Sequence, residues 1–196
     1  MTKRPAIDLK LVKSRVSAFD PESPPSQDDL RHAAVALCCR PKNDLEVLFI
    51  RRAEHPRDPW SGHMAFPGGR VEPWDSDPLQ AAVRETDEEV SVQLSTPDLI
   101  GPLSPIQAPH RGRRSPLLVH PFVFEVPRHT QTRPDTREVQ ETVWIPLSFF
   151  RDGAERQTMT WQYGGQTYHL PCFDYEGRRI WGMTLRMLDQ LLDLIR

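Results

Sequence analysis

No apolar run in this chain approaches the ~20 residues that a membrane span requires, so a water-soluble protein without a membrane partner is expected. Cysteine is scarce: Cys38, Cys39 and Cys172 are too few and too scattered for a disulfide framework or a zinc site. An excess of positive charge is also missing. Twenty-five Lys and Arg against 27 Asp and Glu give a formal net charge of -2, which argues against a nucleic-acid binder that works through bulk charge. Glycine, at ten, is outnumbered by twenty prolines, which suits a loop-rich chain and not an all-helical one. The opening "MTKRPAIDLKLVKSR" is basic but lacks the continuous apolar stretch of a secretory signal, so a reducing cytoplasm is the default expectation.

What is present fits one domain. At 196 residues the chain is too short for two full catalytic domains. Residues 1–30 read as an N-terminal arm and linker, with Ile7, Leu11, Val12 and Val16 on one side of a short helix and "AFDPESPPSQDD" breaking it. The body spans 31–196. "HAAVALCCR" and "EVLFIRRA" predict a hairpin of strands near 32–40 and 46–52. "HMAFPGGRVEP" reads as a short strand ending in a Pro-Gly-Gly turn, and "LLVHPFVFEV" as a strand bent or placed at an edge by Pro121. "TVWIPL" is a further strand. Gly164-Gly165 between two β-rich runs predicts a two-residue hairpin. Helices are expected at about Pro78–Val90 and in the C-terminal "MTLRMLDQLLDLIR", where Leu185, Leu188, Leu192 and Ile195 keep helical spacing. Strands with helices laid against them indicate an α+β layered domain.

The chemistry is concentrated in "FPGGRVEPWDSDPLQAAVRETDEEVSV", residues 66–92. Asp77 can cap a helix, Pro78 suits its first position and Gln80 completes a capping-box pattern. At ~100° per residue, Leu79, Ala82, Val83, Thr86 and Val90 fall in one sector, while Glu85, Glu88 and Glu89 share another beside Arg84. Each like-charge pair at i,i+3 or i,i+4 costs roughly 0.2–0.5 kcal/mol even when exposed. A divalent cation with oxygen ligands would relieve that repulsion. An acidic pair on a helix is ordinarily a solvated face. Here Gly68 and Gly69, which let backbone approach an ion or ligand, precede the capped helix and its acids in fixed order.

This segment resembles the Nudix hydrolase box, which reads Gly, five residues, Glu, seven residues, then Arg-Glu-apolar-x-Glu-Glu-x-Gly-apolar. The chain offers Gly69, five residues to Asp75, then eight to Arg84-Glu85-Thr86-Asp87-Glu88-Glu89-Val90-Ser91-Val92. Asp75 replaces the first Glu, the spacer is one residue longer, and Ser91 stands where Gly is usual. The resemblance implies an α/β/α sandwich with a mixed central sheet and dependence on Mg²⁺ or Mn²⁺. It implies metal ligation by Glu85 and Glu89, with Glu88 supporting and the carbonyl of Gly69 completing the shell. Arg84 would orient a glutamate, for which its rigid fork is suited. By the same resemblance Glu138 is the general base, with Glu141 as the alternative.

A narrower likeness is to the coenzyme A diphosphatases of this family. It rests on "LFIRRAEHPRDPWSGHMAFPGG", with Arg52, Arg57, Gly62 and Phe66 in matching order, and on "IWGMTLRML". Ala53 and Ile50 depart from that pattern. The likeness implies a small nucleotide-containing substrate contacted by Arg52, Arg57 and Phe66. Arg111, in the basic loop "HRGRR", is a candidate for an extra phosphate and otherwise a solvated basic loop. Trp60 could stack on adenine, although a half-buried loop Trp is the commoner outcome. Trp161, Tyr163 and Tyr168 read as sheet packing, and His63 and His169 receive no role. Hydrolysis of coenzyme A leads. A diphosphatase of ADP-ribose or other nucleoside diphosphate derivatives is the second reading, and a non-catalytic ligand sensor is the third. A homodimer is left open.

Overall fold

Two apolar runs, each too long to be buried on one side only, place the centre of the domain. In the computed structural model, which describes residues 6–23, 30–55, 60–108, 115–153 and 155–196, these runs are strands β1 (Arg31–Pro41) and β2 (Leu45–Arg52). β1 pairs antiparallel with β2 through its second half and with β4 (Gly68–Arg70) through its first half. Along its other edge it pairs in parallel with β7 (Leu117–Glu125). A central strand flanked on both edges and covered on both faces needs apolar residues at successive positions, which is why "AAVALCC" does not alternate.

The sheet is mixed. Its path runs β3 (Met64–Ala65), β2, β1, β7, β5 (Leu99–Pro102), with β6 (Ile106–Gln107) on β7 and β8 (Val139–Pro146) on β2. Ala33, Leu37, Cys39, Val47 and Phe49 point to one face, where α1 (Leu9–Ser17) and α3 (Gly182–Leu194) pack. Ala34, Ala36, Cys38, Leu48 and Ile50 point to the other, where α2 (Pro78–Val90) lies. The expected α/β/α sandwich is therefore the fold. A separate three-stranded sheet of β9 (Gln157–Tyr163), β10 (Gln166–Tyr175) and β11 (Arg178–Trp181) leads into α3. Gly164 and Gly165, both at positive φ, make its tight turn as expected.

Several expectations are corrected. The N-terminal segment is part of the body: Ile7, Val12 and Val16 are fully buried, and the Ile7 amide donates to Asp44 Oδ1 at 3.0 Å. Asp8 caps α1 by accepting from the Leu11 amide at 2.7 Å. Pro121 does not put β7 at an edge: β1 pairs along one side of the strand, and β5 and β6 along the other. Its carbonyl accepts from the Leu103 amide, so its amide-less nitrogen faces the interval where the neighbour changes from β6 to β5. Gly68 and Gly69 are in strand β4 and do not form a turn; a Cβ on Gly68 would collide with the Ala34 carbonyl and Val35 Cα. All three cysteines are buried free thiols.

α2 begins and ends as the sequence indicates. Asp77 Oδ1 accepts from the Gln80 amide at 2.8 Å, and Gln80 Oε1 reaches back to the Ser76 amide, one residue beyond the usual capping box. Ser91 closes the helix at φ 55°, ψ 38°. That left-handed geometry is what a glycine takes without penalty, and Ser91 compensates in part through an Oγ–H···O bond to Arg133 at 3.3 Å. Ser91→Gly should therefore stabilise the protein by about 0.5–1 kcal/mol. Urea titration should move the midpoint up without changing the slope; a lower midpoint would mean that the Arg133 contact outweighs the backbone strain.

Candidate active site

Helix α2 presents its acids to three different environments. Glu89 is only 3% exposed and turns toward the sheet, where its Oε2 accepts from the Gly68 amide at 2.8 Å. Glu85, one turn earlier, lays its carboxylate against Gly69, so closely that a Cβ there would overlap Oε1 and Oε2. Glu88 points outward, its side chain 59% exposed, at 3.1 Å from Arg84 Nη1. The three carboxylates do not form one open cluster. Glu85 and Glu89 are a pair pressed against the two glycines, and Glu88 joins them only through Arg84.

Arg84 organises the outer part. Its Nε and Nη2 form a fork on Asp75 Oδ1 and Oδ2 at 3.0 and 2.9 Å. Nη1 reaches Glu85 Oε1 at 2.8 Å, and Nη2 also donates to the Arg70 carbonyl at 3.1 Å. Asp75 is thus the partner that aims Arg84, not a further cation ligand, and the Glu72 amide fixes its Oδ2 at 2.8 Å. The guanidinium fork holds the Asp75 carboxyl below its ordinary range. Nine residues separate Asp75 from Arg84, and no local spacing rule signals that contact.

The electrostatics of the inner pair run the other way. Burial pushes Glu89 up to about 8, with Glu85 and Glu138 adding repulsion, while the Gly68 amide and the charge of Arg52 oppose the rise. Burial also raises Glu85, against the pull of Arg84 and with help from Glu88 and Glu138. Glu138, exposed just before β8, therefore lies near enough to act on both. Glu141 is occupied: Arg178 forks onto it at 3.2 and 2.8 Å, and Arg51 stands 3.7 Å away. That pairing lowers the Glu141 carboxyl and makes it a poor proton acceptor.

The remaining expected residues separate. Arg52, at the end of β2, lies near enough for its charge to act on Glu89. Phe66 is 2% exposed and stacks on Phe49 at 4.8 Å, which places its ring in the core. Arg57 and Arg111 lie outside the described residues.

Two facing carboxylates whose ionised forms repel in a half-dry setting are a donor set suited to a hard divalent cation. Among the described residues no three Asp, Glu, His or Cys side chains gather at ligand spacing. A full shell here would need backbone oxygen and water beside the Glu85–Glu89 pair, which is how Mg²⁺ is commonly held. Without a cation, the raised Glu89 has a defined signature. Its folded-state proton affinity exceeds that of the unfolded chain, so its own contribution to stability in chelator is fully present below about pH 4.5 and is lost as pH climbs through about 8. Glu89→Gln removes that titration. In EDTA the variant should be more stable than the parent at pH 8.5, by more than about 1 kcal/mol, and nearly equal to it at pH 4.5. Chemical denaturation at the two pH values decides it, and identical differences at both would show that Glu89 is not forced toward neutrality.

Comparison with known proteins agrees with this geometry. The NUDIX domain family matches residues 29–162. Among similar sequences, a Yersinia enterocolitica protein described as "Uncharacterized Nudix hydrolase NudL" is 31% identical over 180 residues, covering 91% of this chain and 88% of its own. A Photorhabdus laumondii protein of the same description is 29% identical, covering 92% and 96%. Among solved structures, a MutT/nudix family protein from Enterococcus faecalis has a TM-score of 0.54 at 18% identity, covering 82% of this chain and 54% of its own. The NUDIX domain of Shewanella oneidensis NrtR, complexed with ADP ribose, has a TM-score of 0.50 at 19% identity, covering 70% and 84%. At such identities the two structures bear on the fold alone. With the acid helix, the glycine strand and the family match over most of its length, this chain belongs to the Nudix hydrolase family.

Proposed function

We propose that this protein is a divalent-metal-dependent diphosphatase that hydrolyses coenzyme A or an acyl derivative to adenosine 3′,5′-bisphosphate and (acyl-)phosphopantetheine. The observation that carries the reading is the pairing of Glu85 and Glu89 against Gly68 and Gly69. Nudix hydrolases generally use cations such as Mg²⁺ or Mn²⁺, and one held here would neutralise the diphosphate and polarise the attacked phosphorus. Glu85 and Glu89 are the proposed ligands, with the Gly69 carbonyl and, through a water, Glu88 filling the shell.

Further roles are proposed with it. Arg84, anchored on Asp75, holds the Glu85 carboxylate in orientation. Arg52, whose charge acts on Glu89 from the end of β2, is proposed to meet a substrate phosphate, with Arg57 and Arg111 as further phosphate contacts. Water attacks phosphorus, the bond to the bridging oxygen breaks, and a carboxylate within reach takes the water's proton. Glu138 is proposed for that step because Glu141 is already committed to Arg178 and Arg51. The choice of coenzyme A rests on the run from Leu48 to Gly69, which resembles that subgroup. The Shewanella domain complexed with ADP ribose makes that molecule the informative competitor.

A panel of coenzyme A, dephospho-coenzyme A and ADP-ribose, assayed with Mg²⁺ and with Mn²⁺, tests the substrate. The highest kcat/KM is expected for coenzyme A; better cleavage of both competitors would replace it with the wider class. Glu138→Gln should lower kcat by roughly 10²–10⁴. Full activity of that variant at every pH would take the base role from Glu138. If the wild type cleaves nothing while Glu89→Gln still binds ligand, the chain is a sensor.

A further inference from the structure

Three of the five tryptophans meet where the loop after β2 reaches the small three-stranded sheet. Trp60, from the loop after β2, stacks on Trp161 of β9 at 5.8 Å between ring centroids. Trp161 meets Trp181 of β11 edge-on at 5.0 Å, and His63 meets Trp181 at 4.9 Å. Trp161, Trp181 and His63 border an open cavity of about 260 Å³ whose rim includes Arg51, Arg178 and Arg179, and Trp60 backs Trp161. Sites that enclose whole drug-sized ligands run roughly 300–1,000 Å³, so this cup suits one part of a larger molecule.

The rim is polar in a specific way. Arg178 is held by Glu141 and Glu176. Arg179 is exposed and forms no ion pair among the described residues. Asp174, its cross-strand neighbour, has its Oδ1 engaged by the Gly177 amide at 2.8 Å. Arg179 lines the cavity together with Trp181, two residues further along β11. Flat π surfaces beside an exposed guanidinium suit a planar base that carries a phosphate.

The cup is also connected to the acid site. Arg51 and Arg52 are successive residues at the end of β2, where the pairing with β8 shifts register; Arg51 lines the cup and the charge of Arg52 acts on Glu89. Glu141, which Arg51 and Arg178 share, lies three residues beyond Glu138. The end of β2 and the start of β8 are thus a common border between cup and carboxylates. We infer that this aromatic cup is the subsite for the base of the nucleotide half of the substrate, with Arg179 contacting a phosphate on its ribose; the inference rests on the nucleotide-cleaving role proposed above.

Binding without turnover separates the two ideas. Intrinsic tryptophan fluorescence of the full chain in EDTA is titrated with adenosine 3′,5′-bisphosphate, with AMP, and with phosphopantetheine, which lacks a base. Both adenine nucleotides should change the emission and phosphopantetheine should not. Trp161→Ala should weaken nucleotide binding by about ten-fold or more, and Trp161→Phe should restore most of it. Arg179→Ala, an exposed change that leaves the fold intact, should weaken the bisphosphate more than AMP. No response to either nucleotide, undiminished affinity in Trp161→Ala, or a response to phosphopantetheine alone would overturn the subsite. Turnover measured separately with Mg²⁺ reports on the hydrolase reading: cleavage without nucleotide binding at the cup sinks only the subsite, and binding without cleavage sinks only the reaction.

Discussion

The site depends on two carboxylates kept next to each other where water cannot fully screen them. Glu85 and Glu89 are one helical turn apart, and both carboxylates are directed at the strand that carries Gly68 and Gly69. The glycines allow this because neither position has room for a side chain: one faces the backbone of β1, the other the Glu85 carboxylate itself. Burial therefore raises both acids, and Glu89 reaches about 8. A helix whose only task was to cover the sheet would gain nothing from that arrangement. Perturbed acids gathered in one place are a mark of functional sites.

Around that pair the chain spends its remaining charge on alignment. Arg84 touches Asp75, Glu85, Glu88 and the Arg70 carbonyl at once, so the orientation of Glu85 is tied to the loop that precedes the helix. Arg178 does the same for Glu141 across the boundary between the two sheets. Of the two acids near the start of β8, one is thereby fixed as a structural anion and the other left beside the site. The family relationship accounts for the acid helix. The small sheet with its tryptophans extends past the matched residues 29–162 and gives the domain a second concave surface.

Much of this was readable from one-dimensional pattern because it is local. The bounds of α2, its cap at Asp77, the Gly164-Gly165 hairpin and the two central strands all follow from rules that act within a few residues. The angular layout of α2 placed Ala82, Thr86 and Val90 inward correctly. It failed for Glu89, which a helical wheel puts with Glu85 and Glu88, because the sheet supplies an amide that draws the side chain under. Contacts between distant positions were illegible in the same way: Asp75 with Arg84, Ile7 with Asp44, Trp60 with Trp161. Pro121 misled because the absence of an amide matters only where a neighbouring strand needs it. The burial of Phe66 was likewise illegible, because a motif position does not say which way a ring points.

The central claim is that Glu85 and Glu89 jointly hold a cation. Crystals soaked in Mn²⁺ and examined by anomalous scattering test it most directly. A manganese peak within ligand distance of both carboxylates, with water in the remaining positions, is the predicted result. Manganese absent at saturating concentration, or bound only at other acids, would contradict the account.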